Sequence, residues 1–530
     1  MPPPSSTLPA AALAVLLTAA GFASLAARGP AARAADPPPV YVTSTADGPP
    51  GVCEGPGARR PCTLRDAIET VALRASGRTI LARYCEAGDP GPYCLSPNDP
   101  NYDAARRVWR IALSEPYGFD ITGTNVTIDF ADGAPAWASA ADNAVEVATG
   151  DEPLDWLFGV DGDGHALRGI NLRGDVRTAA VVLYNGATGV GLRSLAFADI
   201  DGDAIRIRDE HTQDNSGMSG IQCGWFGPLP AADVRPTLPS IRGACLEISR
   251  GAHDNQIDDG APGTNVFAHA AVGVRITGRG TRANAVRGAT IRDNGVGVQL
   301  LDEAHENVIE SSVIVGSEGN GIEIAGASWL NVIQDCGIGR YREGWDGDPA
   351  PNGGWGIDIA GPAKSTNVEA NWIEGNGAGG IRVTGRMATG HRLSDNRITG
   401  HVGPGIVVAG GANGGITPPI LSRAGDRFVA RVCPSCLVEV SADPDDEGAD
   451  FVTDAGADNS GQAVITFGTL PRFRYLTAVT IDPDGNTSAY SAPLDLLGEP
   501  TPSARPTVPG VPEGPPVSQV YLPAAWRGLP

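Results

Sequence analysis

The middle residues of a recurring apolar-x-apolar phrase are the first candidates for chemistry. Glu323 holds this position in GIEI and Asp358 in GIDI, while Gln299 and Arg382 hold it in GVQL and GIRV. If these phrases stack as neighbouring strands, the two carboxylates would lie about 5 Å apart, a separation that retaining glycosidases use. Repulsion between such close like charges could raise the pKa of one carboxyl into the general-acid range.

A charged row that performs no reaction is the simpler interpretation of the same residues. Side chains alternate across a strand, so the apolar pair points inward and the middle residue faces solvent. The predicted row is Arg206, Glu247, Arg275, Gln299, Glu323, Asp358 and Arg382. Opposite charges at neighbouring positions would offset one another, and we favour this interpretation over a catalytic pair.

An insertion in one repeat is a second candidate site. The interval from Gly321 to Gly356 is 35 residues, where most intervals are 24. The insertion and its flanks contain Tyr341, Trp345, Asp346, Asp348 and Trp355. Insertions in repeat proteins often lie on the binding face, where aromatic rings could stack on sugars and carboxylates could bind hydroxyls or Ca²⁺. A loop that packs its own tryptophans is the alternative. A second long interval contains Trp225 and Phe226 and could border the same groove.

Three aspartates at alternate positions suggest an ion site. Asp199, Asp201 and Asp203 stand in DIDGD, and clusters of oxygen ligands suit Ca²⁺. The later ligands of a known calcium loop are missing, so turn chemistry is the competing interpretation. The seven histidines show no metal-binding spacing. We therefore expect no required cofactor and name Ca²⁺ as the one candidate ion.

Eight of the nine cysteines fall into pairs that are close in sequence. The pairs are Cys53/Cys62, Cys85/Cys94, Cys223/Cys245 and Cys433/Cys436. In an exported protein they could form disulfides that close short loops. A redox or zinc site at Cys433 and Cys436 is the alternative, but no second CxxC or nearby His pair would complete a zinc site. We expect the remaining Cys336 to be a buried, unreactive thiol.

A repeat of about 24 residues predicts the elements that would position these groups. The phrase Gly-apolar-x-apolar begins at 273, 297, 321, 356, 380 and 405, and looser copies begin at 180, 204 and 245. Each alternates with period two and is bounded by turn residues, as in a short strand. One repeat cannot bury its own apolar face, so the copies must stack as a solenoid.

Asparagines recur at the turn positions of these repeats. One set is Asn255, Asn284, Asn307 and Asn331, and a second is Asn294, Asn320 and Asn376. Stacked asparagine side chains can hydrogen-bond along the axis from coil to coil. We expect both sets to be structural.

Residues 120–415 resemble the right-handed parallel β-helix family. The resemblance implies an all-β fold with about ten coils, each of three short strands. Residues 36–119 contain Cys62-Thr63-Leu64-Arg65-Asp66-Ala67, which resembles the Cys-Ser-Leu-Arg-Glu-Ala module in front of secreted bacterial β-helix proteins. Thr63 and Asp66 have the spacing of a helix capping box. We expect a short amphipathic helix that covers the open end of the solenoid.

The flanking segments complete the predicted domain organisation. Residues 416–496 contain short alternating strands, predict a small β-sandwich and resemble bacterial Ig-like modules. Residues 497–530 form a Pro-rich linker and tail. Residues 1–35 contain an apolar stretch followed by a small-residue cleavage site, which is typical of a secretory signal. A membrane anchor is the alternative for this first segment.

Composition limits the partners. The net charge is −22, and only one of the 39 basic residues, Lys364, is a lysine. This acidity argues against nucleic acid as a partner and against docking on an anionic membrane. We expect membrane association only through the leader or surface attachment, and a monomer. The catalytic motifs of β-helix polygalacturonases are missing, and Lys364 has no evident partner for lyase chemistry.

These observations predict a secreted or cell-surface β-helix protein that binds extracellular glycans in adhesion or surface interaction. One alternative is a polysaccharide hydrolase or lyase that uses Glu323 and Asp358 with Arg275 or Arg382. The other is a structural spacer that displays the Ig-like module.

Overall fold

The computed structural model describes residues 38–48, 53, 61–73, 78–85, 94–135, 143–224, 240–257, 264–341, 349–424, 427–444, 447–467 and 473–496. The predicted signal segment, the predicted linker and tail, and the insertion residues Trp225, Phe226, Trp345, Asp346 and Asp348 lie outside the described residues.

The first elements combine short strands with one helix. They are β1 (Val40–Val42), α1 (Leu64–Leu73), β2 (Thr79–Ala82), β3 (Tyr102–Asp103), β4 (Val108–Leu113), β5 (Phe119–Ile121) and β6 (Thr127–Asp129). Ile80 of β2 pairs in parallel with both Val40 and Ile128. Parallel stacking therefore already begins in the segment that the sequence assigned to the cap.

The following coils are built from strands of 2 to 13 residues. The earlier ones are β7 (Val145–Thr149), β8 (Leu154–Asp163), β9 (Ala166–Gly174), β10 (Val176–Thr188), β11 (Gly191–Ile200), β12 (Asp203–Arg208), β13 (Gln222–Cys223), β14 (Ile241–Ser249), β15 (Gln256–Ile257), β16 (Val266–Ala268), β17 (Ala270–Thr277), β18 (Ala285–Arg287) and β19 (Thr290–Arg292). The later ones are β20 (Val296–Leu301), β21 (Val308–Glu310), β22 (Val313–Val315), β23 (Ile322–Ile324), β24 (Val332–Gln334), β25 (Gly337–Ile338), β26 (Trp355–Ala360), β27 (Asn367–Glu369), β28 (Trp372–Glu374), β29 (Gly379–Thr384), β30 (Arg392–Ser394), β31 (Arg397–Thr399) and β32 (Ile406–Ala409).

Three parallel stacks of strands run along the solenoid. Sheet 1 contains β8, β10, β12, β14, β17, β20, β23, β26, β29 and β32. Sheet 2 contains β15, β18, β21, β24, β27 and β30. Sheet 3 contains β9, β11, β13, β16, β19, β22, β25, β28 and β31. From β14 onward each coil contributes one strand to each sheet, which confirms the predicted three-stranded repeat.

Buried asparagines join each coil to the next. The Oδ1 of Asn307 accepts hydrogen bonds from the backbone N–H of Asn284 at 3.1 Å and from its side-chain amide at 3.0 Å. Asn307 donates in the same way to Asn331. All three are fully buried. The first predicted set of asparagines is therefore a continuous ladder, and Asn215 extends it beyond Asn255.

The second predicted set is only partly correct. Asn376 bonds to Asn352, which donates its backbone N–H and side-chain amide. Asn320 is not in this ladder. It donates to Glu323 at 3.0 Å and accepts from the backbone N–H of Trp355 at 2.8 Å. Asn320 lies at the corner before β23, where its amide faces the outside of the coil.

The helix closes the N-terminal end as predicted. Thr63 Oγ1 accepts from the backbone N–H of Asp66 at 3.1 Å, and the backbone N–H of Thr63 donates to Asp66 at 3.3 Å. This is the expected capping box. The apolar stripe packs into the solenoid core and consists of Leu64, Ala67, Ile68 and Val71. Among the described residues, no helix is long and apolar enough to span a bilayer.

The four cysteine pairs are disulfides. They join Cys53 to Cys62, Cys85 to Cys94, Cys223 to Cys245 and Cys433 to Cys436. Cys336 lies outside these four disulfides and is 1% exposed, so its expected burial is confirmed. Its backbone N–H donates to Asn371, which lies at the equivalent position of the next coil.

After β32 and the 3₁₀ turn Asn413–Gly415, the chain forms two antiparallel sheets. Their strands are β33 (Ile420–Ala424), β34 (Arg427–Arg431), β35 (Leu437–Asp443), β36 (Asp450–Gly456), β37 (Gln462–Ile465), β38 (Tyr475–Ile481) and β39 (Leu494–Asp495). The sheet orders are β33-β34-β37 and β36-β35-β38-β39. Phe428 and Ala430 pack with Val440 and Leu476 in a separate apolar core. This two-sheet arrangement agrees with the predicted sandwich, while the Ig-like assignment stays a prediction.

These antiparallel sheets cover the last coil. Thr487 Oγ1 accepts from the backbone N–H of Leu393 at 2.9 Å, and Ile398 pairs with Gly448. Val479 and Ile481 belong to the apolar core of the solenoid. The module therefore occupies an edge that would otherwise expose unpaired strand groups. The sequence predicted the module but not this contact.

A buried carboxyl lies in this junction. Glu439 is 8% exposed and accepts hydrogen bonds from Ser394 Oγ at 3.0 Å and from the backbone N–H of Asp395 at 2.8 Å. Burial raises the pKa of Glu439 to about 7, and the charge of Asp395 adds to this while Arg392 opposes it.

We expect Asn307→Ala to lower the free energy of unfolding by about 3 kcal/mol or more. The change leaves buried groups of Asn284 and Asn331 without partners, and each such group costs about 1–3 kcal/mol. Chemical denaturation of the wild type and variant measures the difference. Glu306→Ala, at the exposed neighbouring position, is the control and should stay within about 0.5 kcal/mol. Equal stability of the two variants would contradict a structural ladder.

We expect Glu439 to make folding less favourable as the pH rises from about 4.5 to 7. The unfolded glutamate ionises near 4.5, whereas the folded carboxyl keeps its proton to about pH 7. The loss should be on the order of 1–3 kcal/mol. Glu439→Gln cannot ionise, so its unfolding free energy should decline less than that of the wild type over this range. Thermal unfolding at several pH values tests this, and parallel curves would refute it.

Candidate functional site

The outward-facing middle residues of sheet 1 form one row, which we name the polar column. Its members are Arg206, Glu247, Arg275, Gln299, Glu323, Asp358 and Arg382. Each lies opposite the next in the parallel register, so the predicted alignment is confirmed. Ile322 and Ile324 flank Glu323 and are fully buried. The inward packing of such pairs turns the middle residues to the outer face, about 4.8 Å apart from coil to coil. Glu247 and Asp358 are nevertheless only 8% and 9% exposed.

Hydrogen bonds join the C-terminal members of the polar column in two pairs, Gln299 with Glu323 and Asp358 with Arg382. Arg382 binds Asp358 through Nε to Oδ1 at 2.8 Å and through Nη2 to Oδ2 at 2.6 Å. Glu323 accepts from Gln299 at 2.9 Å and from Asn320 at 3.0 Å. The hydrogen bond with Asp358 raises the pKa of Arg382, burial opposes this, and the charges of Asp358 and Glu323 add to it.

These contacts change the expectation for the two carboxylates. Glu323 lies opposite Asp358 in the register, as the sequence predicted. Asp358, however, forms an ion pair with Arg382. The positive charge of Arg382 offsets the repulsion between the two carboxylates. The geometry is thus a polar row in which each of the two carboxylates has its own hydrogen-bond partners, in agreement with the favoured interpretation.

A carboxyl outside the polar column, that of Asp203, contacts its N-terminal half. The sequence did not predict this contact. Arg206 Nε donates to Asp203 at 2.8 Å and lies 3.3 Å from Glu247, which also pairs with Arg275 at 3.2 Å. Burial raises the pKa of Asp203, and the negative charge of Glu247 adds to this. The Asp203 side chain is only 3% exposed, so it supports the column from below and is out of reach of a ligand.

The three aspartates proposed for Ca²⁺ do not form an ion site. Asp199 pairs with Arg173 at 3.2 Å, Asp201 with Arg242 at 3.1 Å, and Asp203 with Arg206. Within the described ranges, no group of three or more His, Cys, Asp or Glu side chains could hold a metal ion. The alternate spacing of these aspartates suggested a cluster, but each carboxylate pairs with a different arginine.

Of the predicted insertion residues, the structure describes only Tyr341 and Trp355. Trp355 was expected to be an exposed stacking residue, but it is 6% exposed. Its ring lies against Gly379, and the guanidinium of Arg382 lies 5.3 Å from the ring centroid. Trp355 therefore packs beside the end of the polar column and cannot stack on a sugar. Tyr341 is partly exposed, and the remaining predicted insertion residues lie outside the described part of the chain.

Two aromatic residues on sheet 1 were not predicted from the sequence. Trp156 and Tyr184 are partly exposed, with ring centroids 5.7 Å apart. They lie near the coils that precede Arg206, because Gly159 pairs with Val182 and Val182 with Arg206. The sequence signal that could have identified Trp156 is a tryptophan in an apolar strand followed three residues later by a glycine, Gly159.

Comparisons with known proteins agree with the fold. A family model described as the right handed beta helix region matches residues 237–417. No curated protein sequence matches the chain.

Several solved structures are similar. The periplasmic alginate epimerase AlgG is 10% identical, with 56% of this chain and 78% of that chain covered and a TM-score of 0.30. The A-module of the Azotobacter vinelandii mannuronan C-5 epimerase AlgE4 is 12% identical, with coverages of 65% and 93% and a TM-score of 0.33. The Dettilon tailspike protein is 14% identical, with coverages of 78% and 82% and a TM-score of 0.36. The family match and the stacked parallel strands show that this chain is an all-β protein built on a right-handed parallel β-helix.

Proposed function

We propose that the protein is a secreted or cell-surface monomer that binds an extracellular glycan along the polar column, in adhesion or surface interaction. The observation that carries the proposal is the unbroken row of seven polar side chains on the outer face of sheet 1. Six intervals at parallel-strand spacing span roughly 29 Å. This length suits an extended, hydroxyl-rich polymer better than a small ligand in a pocket.

The polar column also has hydrogen-bonding capacity to offer. An ionised carboxylate has about four acceptor positions, and two protein hydrogen bonds occupy the oxygens of Glu323. The side chains of Arg275 and Arg382 are 26% and 22% exposed. Internal bonds hold these groups in place, which reduces the conformational entropy lost on binding. No cofactor is required for this role.

The four disulfides support export. Disulfides persist in oxidising compartments and are rare in the cytosol, and the described chain contains four. Together with the predicted leader, they favour a location outside the cytoplasm, where glycans are the abundant polymers.

A polysaccharide hydrolase or lyase is the second candidate. The observation that favours it is the direct pairing of Glu323 with Asp358 on neighbouring strands. The ion pair between Asp358 and Arg382 argues for binding over catalysis, because both carboxylate oxygens of Asp358 already accept hydrogen bonds from Arg382. A spacer that only displays the C-terminal module is the third possibility, and it predicts no glycan binding at all.

Gln299→Ala should weaken glycan binding by roughly five- to thirtyfold, since it removes a hydrogen-bonding amide from the centre of the polar column. The matched control is Gln334→Ala on sheet 2, where Gln334 donates to Glu310 as Gln299 donates to Glu323. A panel of neutral and acidic oligosaccharides, followed by calorimetry, measures the affinities. Failure of the wild-type protein to bind any member, or equal weakening by both variants, would reject the polar column as the site.

The double variant Glu323→Gln/Asp358→Asn separates binding from catalysis. If the protein only binds, the wild type releases no sugar from polysaccharides and the double variant retains at least part of the affinity. Sugar release by the wild type that disappears in the double variant, with binding kept, would establish the enzyme instead. Reducing-end and unsaturated-product assays distinguish hydrolysis from elimination.

A further inference from the structure

We propose that Trp156 and Tyr184, with Asp120 and Arg208 at their edge, form a sugar-stacking subsite at the N-terminal end of the polar column. We name these four residues the aromatic shelf. The inference rests on the proposed glycan-binding function and adds the chemistry of one end of the site. The ligand is the apolar C–H face of a sugar ring, with its hydroxyls directed to the charged edge.

The aromatic shelf is continuous with the polar column. Asp120 pairs with Gly159, Gly159 with Val182, and Val182 with Arg206, the first member of the polar column. Tyr184 directly follows the inward-facing Leu183, so its ring points outward on the same sheet. A glycan lying on the polar column would therefore reach the shelf without leaving sheet 1.

Gly159 leaves room for the indole of Trp156 beside the strand. Trp156 Nε1 donates to Asp120 Oδ1 at 2.9 Å. A Cβ atom at Gly159 would lie 2.6 Å from each of these two atoms. Such contacts are shorter than real Cβ atoms show, so glycine is what permits the indole to approach the strand and meet its carboxylate partner.

The second ring, that of Tyr184, contacts Trp156 and Arg208. The Trp156 and Tyr184 rings are tilted by 39°, and the guanidinium of Arg208 lies 5.7 Å from the Tyr184 centroid. Burial raises the pKa of Tyr184 to about 12, with contributions from the charges of Asp120 and Asp161 that Arg208 opposes. The Tyr184 hydroxyl therefore remains a neutral donor and acceptor at physiological pH.

This combination of groups indicates a sugar more than a protein partner. The aromatic rings supply apolar surface, while carboxylates and a guanidinium supply acceptors and donors at its edge. Aromatics are 6% of the chain, and the neighbouring Phe119 and Phe158 are almost fully buried in the core. Two partly exposed rings on the outer face therefore need an explanation other than core packing.

The test compares three shelf variants with the polar-column variant Gln299→Ala on the same oligosaccharide panel. Trp156→Ala should weaken binding about tenfold or more, because it removes the larger of the two apolar faces on which the sugar ring would stack. Gly159→Ala keeps both rings but displaces the indole, so it should also weaken binding. Tyr184→Phe keeps the ring and should retain most of the affinity. Trp329→Ala, an exposed tryptophan stacked on His305 and outside sheet 1, is the matched control and should bind as the wild type does.

The outcomes separate this inference from the proposed function. If Trp156→Ala and Gly159→Ala remain folded by thermal unfolding and bind as tightly as the wild type, while Gln299→Ala binds weakly, the shelf is refuted and the polar column stands. If Trp156→Ala and Gly159→Ala lose affinity while Gln299→Ala binds as the wild type does, the shelf stands and the polar column does not. Absence of any binding by the wild type overturns both.

Discussion

The parallel register between coils is the constraint on which the rest of the molecule depends. Backbone hydrogen bonds place each residue opposite its equivalent one repeat away, as Glu323 lies opposite Gln299 and Asp358. A slip of one residue would exchange the buried isoleucines with the charged row. The asparagine ladder opposes such a slip, because the amides of Asn284 and Asn307 find their partners only in this register.

A stack of identical units has two open ends, and the chain closes each with a different element. An amphipathic helix covers the first coil, and an antiparallel module pairs with the last through Gly448 and Thr487. Closure hides strand edges that would otherwise associate with other chains. The proposed monomer is consistent with this arrangement, since neither end needs a second copy for protection.

The parallel register that stacks the apolar residues of the core also aligns the polar residues on the surface. Inward positions hold apolar residues, and the residues between them must form rows because their backbones are stacked. Sheet 2 carries a shorter row that includes Arg287, Glu310 and Gln334, so a row alone does not identify a binding face. What distinguishes sheet 1 is the longer polar column together with the aromatic pair Trp156 and Tyr184 at its end.

The sequence by itself determined the features that repeat or are local. The period, the inward alternation, the polar column, the Asn307 ladder and the Thr63–Asp66 capping box all follow from spacing within one repeat or one helical turn. Only the tertiary structure decided the rest: the outward turn of Asn320, the burial of Trp355, the separate partners of Asp199 and Asp201, and the cover over the last coil. These depend on insertions and on contacts between distant segments, where the repeat period no longer indicates which residues are neighbours.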